Sequence, residues 1–364
     1  MTLRPPWRDI AAMDNPELPR SLRVQAEACR ALGSPFHGDL LDLAAEDLEA
    51  GGPVAALVTP WADASLRKLF DDAMPLRLLG GLHDLVLSGD DPALVATYPK
   101  PGREADASTA WIAARAALIR HHDRIAAFMS HEPQTNEVRR SACLVPGFLT
   151  IASETGLPIR AFEVAASAGL NLHWDKYRYQ FGDSAWGDPA ARVAMDTEWT
   201  GPVPPVDTLV KVIERAACDR RPGDLSDPVQ RRRLLAYIWP DQFERLDRIR
   251  AAIDLALSVG VSVEAADAVA WSTRVAAPQP GAVTVLYHSV FWQYMPSESQ
   301  TALAKVIADH GAAATPDAPF AWLRMEPPPE HMSNMELRLT LWPGGEDRLL
   351  ATAHPHGAWV KWLN

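Results

Sequence analysis

Residues 161–177, "AFEVAASAGLNLHWDKY", decide how the rest of the chain is read. An apolar run ends in an acid, Glu163, and five small residues follow: Ala165, Ala166, Ser167, Ala168 and Gly169. A helix-like pattern starts beyond them. A buried strand, a tight turn and a helix in that order form the opening unit of a parallel α/β sheet. Small side chains at such a turn let another group lie directly on the backbone. A helix starting there would present unpaired N–H groups and a partial positive charge, which suits a phosphate or a carboxylate.

The surroundings extend this pattern. Downstream, "TLVKVIERAACD" reads as a strand ending in Asp219, and "VSVEAADAVAW" as a short strand ending near Asp267. "GAVTVLYHSVFWQYMP" is a strong strand followed by a loop. One or two helices, interrupted at Pro240, fill the interval of about residues 226–258. Near the C-terminus "APFAWLRMEP", "MELRLTLWP" and "DRLLATAHPHGAWVKWL" are strand candidates, the last two joined by the hairpin signal "GGE". Upstream, "SLRVQAEACRAL", "GDLLDLAAEDLEA" and "ASTAWIAARAALIRHHDRIAAFMS" carry apolar stripes at helical spacing; Trp111, Leu118 and Ile125 lie seven apart, with Ile112 and Ile119 beside them. The expectation is an all-helical N-terminal domain over residues 1–132. It is followed by an α/β domain over 133–364, with a mainly parallel sheet closed by an antiparallel hairpin.

Composition narrows the function classes. The chain has 364 residues, 48% hydrophobic and 22% charged, with 35 basic and 46 acidic side chains and a net charge of −11. No general basic face exists to meet nucleic acid or an anionic membrane. Three isolated cysteines show no metal-ligand spacing and suit a reducing cytoplasm. No run of about 18 apolar residues is present, so no membrane span is expected.

The turn does not fit the dinucleotide fingerprint GxGxxG, because that frame places Ala165, Ser167 and Leu170 at its glycines. The frame Glu163-x-Ala165-x-Ser167-x-Gly169 is similar to the E/D-x-G-x-G-x-G turn of class I S-adenosylmethionine-dependent methyltransferases, with two glycines replaced by alanine and serine. That plan asks for an acid after the second strand, which Asp219 supplies in "AACDRRPGD". Asp219 lies 56 residues beyond Glu163, whereas Asp183 stands at the more usual distance of about 20 behind the weaker strand signal "YRYQF". Asp219 is preferred. Asp267 then falls near the adenine, with Asn171 and Ser289 among the cofactor contacts. The fourth strand opens on His288 and Tyr294, which with His356 are candidate general bases.

Several blocks carry a resemblance: "QTNEVRRSACLVPGF", "EVAASAGLNLHWDKYRYQFG", "YHSVFWQYMP", "WLRMEPPP", "ELRLTLWPGG" and "HPHGAWVKWL". They resemble a bacterial family of uncharacterised proteins over most of residues 130–364 and, more faintly, over the helical N-terminus. The resemblance implies a Rossmann-like, methyltransferase-like core. The family usually shows glycine where this chain has Ala165, and a methyl group there would narrow the cofactor channel.

Other polar clusters have two readings each. In "HEPQTNE", Thr135 or Asn136 would cap a helix; alternatively Gln134, Asn136 and Glu137 form a lid over cofactor or substrate. In "AHPHGAW", His354 and His356 lie two apart on an expected strand end, hence on one face; one of them lines the pocket, or both bind a metal with His288 as third ligand. Trp292, within "FWQY", belongs to an aromatic substrate wall or to the core, and Arg324 and Glu326 are placed to form a buried pair. The expected function is an S-adenosylmethionine-dependent methyltransferase acting on a small molecule or a protein. The alternatives are a catalytically inactive module of the same fold that binds a ligand or partner, and a metal-dependent hydrolase.

Overall fold

The structure is a computed structural model that describes residues 15–328 and 334–363. It separates into two compact units. One covers the chain up to Thr135 together with Asp227–Asp247; the other covers Asn136–Ser226 and the chain from Arg248 onward.

The first unit is helical. Its described part holds α1 (Glu17–Ala31), α2 (Pro35–Glu49), α3 (Val54–Val58), α4 (Leu66–Asp71), α5 (Met74–Ser88), α6 (Pro92–Thr97), α7 (Ala107–Arg120) and α8 (His122–Met129). The other unit opens with α9 (Ser141–Thr155), and the segment 227–247 returns α10 (Pro228–Ala236) to the helical unit. The side chains of Ser65, Asp91 and Asp106 cap α4, α6 and α7 by accepting backbone N–H groups, which satisfies donors the helices leave open. Leucines and alanines fill the core. Asp84 on α5 accepts from Arg124 on α8 (2.6 Å) and from Arg232 on α10 (2.7 Å), tying three helices together. The expected long helix through Trp111 and Ile125 is divided at His121 into α7 and α8. Trp111, Leu118 and Ile125 are buried, but Ile112 and Ile119 point to solvent.

The second unit is built on a nine-stranded sheet in the order β5-β12-β11-β10-β9-β8-β1-β6-β7. Its strands are β1 (Ile159–Val164), β5 (Glu198–Thr200), β6 (Val212–Asp219), β7 (Val263–Ala265), β8 (Val283–Ser289), β9 (Phe320–Glu326), β10 (Met335–Trp342), β11 (Glu346–Ala353) and β12 (Trp359–Trp362). β7, β6, β1, β8 and β9 run parallel; β10, β11 and β12 add in antiparallel fashion. Every residue of β1 is buried, which is what a central parallel strand covered on both faces requires. One face packs Phe162, Val164 and Leu286 against α12 (Ala268–Val275) and α13 (Ser297–Ala313). On the other face α9 lies so close to β9 that a Cβ on Gly147 would meet Leu323 Cδ1 at 2.4 Å. α11 (Phe243–Val259) runs from the segment 227–247 into this unit.

The expected helix after the small-residue turn is a seven-residue 3₁₀ segment, Leu170–Lys176. The chain then forms a small second sheet of β2 (Arg178–Phe181), β3 (Ser184–Trp186) and β4 (Ala194–Met195) before reaching β5 at the far edge of the large one. Asp183 sits in the β2–β3 hairpin, away from the carboxyl end of β1. Among the described residues no helix is long and apolar enough to cross a membrane. Cys29, Cys143 and Cys218 are separate, buried thiols.

Candidate functional site

The chain passes from β1 to β6 and β7 on one side, then returns to β8 on the other side of β1. Strand order therefore reverses between β1 and β8, and the carboxyl ends of these strands are where a sheet of this kind binds ligands. Glu163 stands one residue before the end of β1, in register with Ala217 of β6 and Tyr287 of β8. Tyr287 donates its hydroxyl to Glu163 Oε2 (3.2 Å), and Phe148 of α9 meets the Tyr287 ring edge-on at 5.0 Å. Glu163 is 3% exposed. Burial pushes its carboxyl up to about 8; the Tyr287 hydrogen bond opposes the shift, and the nearby charge of Asp219 adds to it. The guanidinium of Arg215, on the same face of β6, is already bidentate to Asp175 (2.8 and 2.9 Å). Burial thus favours the neutral form of Glu163.

The turn beyond it is strained. Ala165, Ser167 and Gly169 adopt φ of +57°, +56° and +75°, so the three positions of the glycine-rich frame are all left-handed. For alanine and serine this costs about 1–2 kcal/mol each. Such strain persists where the surrounding structure fixes it, and it concentrates at functional sites. Here the fixing groups are visible. Ser167 N–H donates to Asp219 Oδ2 (2.9 Å), Leu170 N–H donates to Asn136 Oδ1 (2.9 Å), and Ala166 N–H donates to the Cys218 carbonyl.

The turn therefore offers fewer free N–H groups than the anion seat expected of it. Two of its N–H groups are already taken by side-chain oxygens. Ser167 Oγ and Asn171 Oδ1 are instead buried with no hydrogen-bond partner among the described residues. Asn171 is oriented by its Nδ2 donating to the Glu137 carbonyl, which leaves Oδ1 as an acceptor. Asp219 and these two unpartnered oxygens gather hydrogen-bond acceptors around the turn. Further along, both ring nitrogens of His173 are also buried and unpartnered, and burial first, then Arg215, lowers this imidazole to about 4.

Asp219 closes β6, and its second oxygen accepts from Arg221 N–H. Asp267 follows β7 as the N-cap of α12, accepting from Val269 and Ala270 N–H groups. His288 and Ser289 end β8. Strand alternation puts His288 on the α12–α13 face, opposite Glu163 and Tyr287. Trp322 donates its indole N–H to His288 Nε2 (3.0 Å), so the proton is on Nδ1, which donates to Glu326 (2.6 Å). Glu326 also accepts from Phe291 and Trp292 N–H groups and so anchors the loop after β8. That loop begins at Val290 with φ of +52°, an uncommon position for a β-branched residue. Trp292 stacks on His288 (centroids 5.7 Å apart), while Tyr294 is 74% exposed. The expected Arg324–Glu326 pair does not form: Arg324 reaches Asp347 and lies over the Trp322 ring at 3.8 Å.

His354 and His356 lie beyond the end of β11 in a turn rather than on a strand; His356 N–H donates to His354 Nδ1. β11 is three strands from β8, a separation of about 14 Å. Among the described residues no group of three His, Cys, Asp or Glu side chains can hold a metal ion. In the 131–137 segment the cap is Glu137, which accepts from Arg139 N–H, rather than Thr135 or Asn136. Gln134 falls in the helical unit, whereas Asn136 and Glu137 adjoin the β1 turn.

Sequence reasoning missed Tyr287, Trp322 and the anchoring role of Glu326. Register between two buried parallel strands would have paired Tyr287 with Glu163; nothing local signals the other two.

Residues 20–362 match a family model described as "Uncharacterized protein conserved in bacteria (DUF2332)", and the chain belongs to that family. No curated protein and no solved structure matches it.

Proposed function

We propose that the α/β unit binds S-adenosylmethionine at the carboxyl edge of its sheet and transfers the methyl group to a small molecule or a protein. The observation that carries this reading is the left-handed conformation of Ala165, Ser167 and Gly169 between the acids Glu163 and Asp219. Alanine and serine endure there a backbone shape that glycine adopts freely. The order β7-β6-β1-β8-β9 corresponds to 3-2-1-4-5 of a doubly wound sheet and supports the same reading.

The residues divide the work as follows. Glu163, with Ser167 Oγ and Asn171 Oδ1, receives the amino group of the cofactor. Asp219 keeps lone pairs for the ribose hydroxyls, and Asp267 and Ser289 flank the adenine and the reacting end. When bound, the cofactor supplies a methyl group already activated by a sulfonium. The protein's task is to align the acceptor and exclude water. His288 spends both nitrogens on Trp322 and Glu326, so it positions the β8 loop; Tyr294, exposed on that loop, is the better placed group to face an acceptor.

A second reading, a ligand-sensing module of the same fold without turnover, is favoured by the Ser167 and Leu170 N–H groups already being satisfied. Calorimetric titration with S-adenosylmethionine and S-adenosylhomocysteine tests both. Micromolar binding, weakened about tenfold by Glu163→Ala and by Asp219→Ala, is expected, since each variant loses a hydrogen bond to the cofactor. Absence of binding by either compound, in protein shown by mass spectrometry to carry no ligand, would overturn the assignment. Binding without methyl transfer to any acceptor would favour the sensing module.

A further inference from the structure

The helical unit keeps polar groups in its core that its own packing leaves unsatisfied. His37 on α2 and Tyr98, at the end of α6, are each 1% exposed. Both ring nitrogens of His37 and the hydroxyl of Tyr98 lack a hydrogen-bond partner among the described residues. Both side chains flank Phe36. The Phe36 ring lies 6.1 Å from the His37 ring and 5.2 Å from that of Tyr98. Tyr98 stacks on His83 at 6.1 Å, and Trp239 meets His37 edge-on at 6.4 Å. His83 on α5 is itself fixed by donating Nδ1–H to the Ala236 carbonyl (3.2 Å). Around them the core is leucine and alanine, including Leu40, Leu41 and Ala44.

An apolar core gains nothing from such groups. Each buried donor or acceptor without a partner forfeits its hydration, and leucine or phenylalanine would fill the same volume without that loss. Three unsatisfied atoms on two side chains that flank Phe36 point to a partner that is not part of the helical packing. Its chemistry follows from the groups themselves. Burial, reinforced by the neighbouring His83, holds the His37 imidazole neutral, so it presents one donor and one acceptor. The Tyr98 hydroxyl, kept protonated by burial, presents one donor and its lone pairs. Neither offers a charge, and flat aromatic walls stand on the flanks.

We propose that His37 and Tyr98 line an internal binding site in the helical unit for a small uncharged ring compound bearing both a donor and an acceptor, such as an azole or a phenol. Phe36, His83 and Trp239 wall it. The site stands independently of the one at the carboxyl edge of the sheet. The test is titration of the full chain with pyrazole and with phenol, following the ring ¹⁵N signals of His37 by NMR. Saturable displacement of both nitrogens by at least one probe is expected. Tyr98→Phe should weaken that binding about tenfold without lowering the melting temperature, and His37→Phe should abolish it. If His37→Phe does not fold, Tyr98→Phe carries the test alone. No saturable shift with either probe would overturn the proposal in favour of a core hydrated by ordered water. Binding indifferent to Tyr98→Phe would overturn it as well.

Discussion

Replacing Glu163 by glutamine isolates the consequence of burying a lone carboxyl on β1. In the folded chain this group is raised from 4.5 to about 8, burial being the main cause. The folded state therefore holds a proton that the unfolded state releases between those two values. The sign follows: the burden on stability is absent below about pH 4.5, grows through neutrality and is complete above about pH 8. At about 1.36 kcal/mol per unit, it amounts to about 1 kcal/mol at pH 5, about 3 at pH 7 and about 4 at pH 8. The glutamine side chain has no proton to gain or lose, yet its amide oxygen can still accept the Tyr287 hydroxyl. Urea unfolding of both proteins, followed by circular dichroism across this range, should show the variant's advantage widening by about 3 kcal/mol from pH 5 to pH 8. A difference that stays constant with pH would mean that Glu163 is ionised in the folded state, and the argument that burial favours its neutral form would collapse. The same logic reaches ligand binding. With its carboxyl raised to about 8, Glu163 is mostly protonated at pH 7, and under the proposed function an incoming ammonium group would drive that proton off. Calorimetry of S-adenosylmethionine binding in two buffers of different ionisation enthalpy should then report release of nearly one proton in the native protein and less by that amount in Glu163→Gln.

Four further outcomes are expected. Ala165→Gly should raise stability by about 0.5–1 kcal/mol, because the relief of a left-handed alanine exceeds the added freedom of the unfolded chain; a lower melting temperature would show that the alanine methyl group packs usefully in the turn. Glu326→Gln should cost about 1.5–3 kcal/mol and speed amide exchange at Phe291 and Trp292, the two N–H groups that the carboxylate holds; undisturbed protection there would refute its anchoring role. Gly147→Ala forces a methyl group against Leu323 and should cost about 1–3 kcal/mol in denaturant titration. His173, lowered from 6.5 to about 4, contributes stability that is present above pH 6.5 and lost as pH falls towards 4; His173→Gln should flatten the acid limb of the stability profile, and an unchanged limb would assign it to other groups.

The parts of this fold legible in the sequence are those whose signals are local. β1 and β8 announce themselves as unbroken apolar runs because both are buried on two faces. The β10–β11 hairpin is marked by Gly344 and Gly345, both at positive φ. Of the stretch between Tyr177 and Lys211 only "YRYQF" carried a strand signal, which β2 fulfils; the rest was not legible. Its strands are two to four residues long, and β5 finds its partner in β12, some 160 residues away. No window of sequence contains both halves of that pairing. The dipeptide spacing of His354 and His356 likewise read as one strand face, whereas a backbone N–H bonded to the first imidazole folds them into a turn.

At the site the limit is sharper, because sequence located the turn but not the distant side chains that reach it. Five small residues after a buried strand do mark a place where the backbone lies open, and from that alone a row of free N–H groups is the natural expectation. What reverses it is the arrival of two side-chain oxygens from elsewhere: Asp219, 52 residues beyond Ser167, and Asn136, 34 residues before Leu170. Once they take these two N–H groups, the turn has fewer donors left for a ligand, and Glu163 beneath it bonds to the Tyr287 hydroxyl rather than to a cationic side chain. Whether a turn of this kind attracts an anion or a cation is thus decided less by the residues that form it than by which distant side chains reach it first. In this chain both that do so carry oxygen.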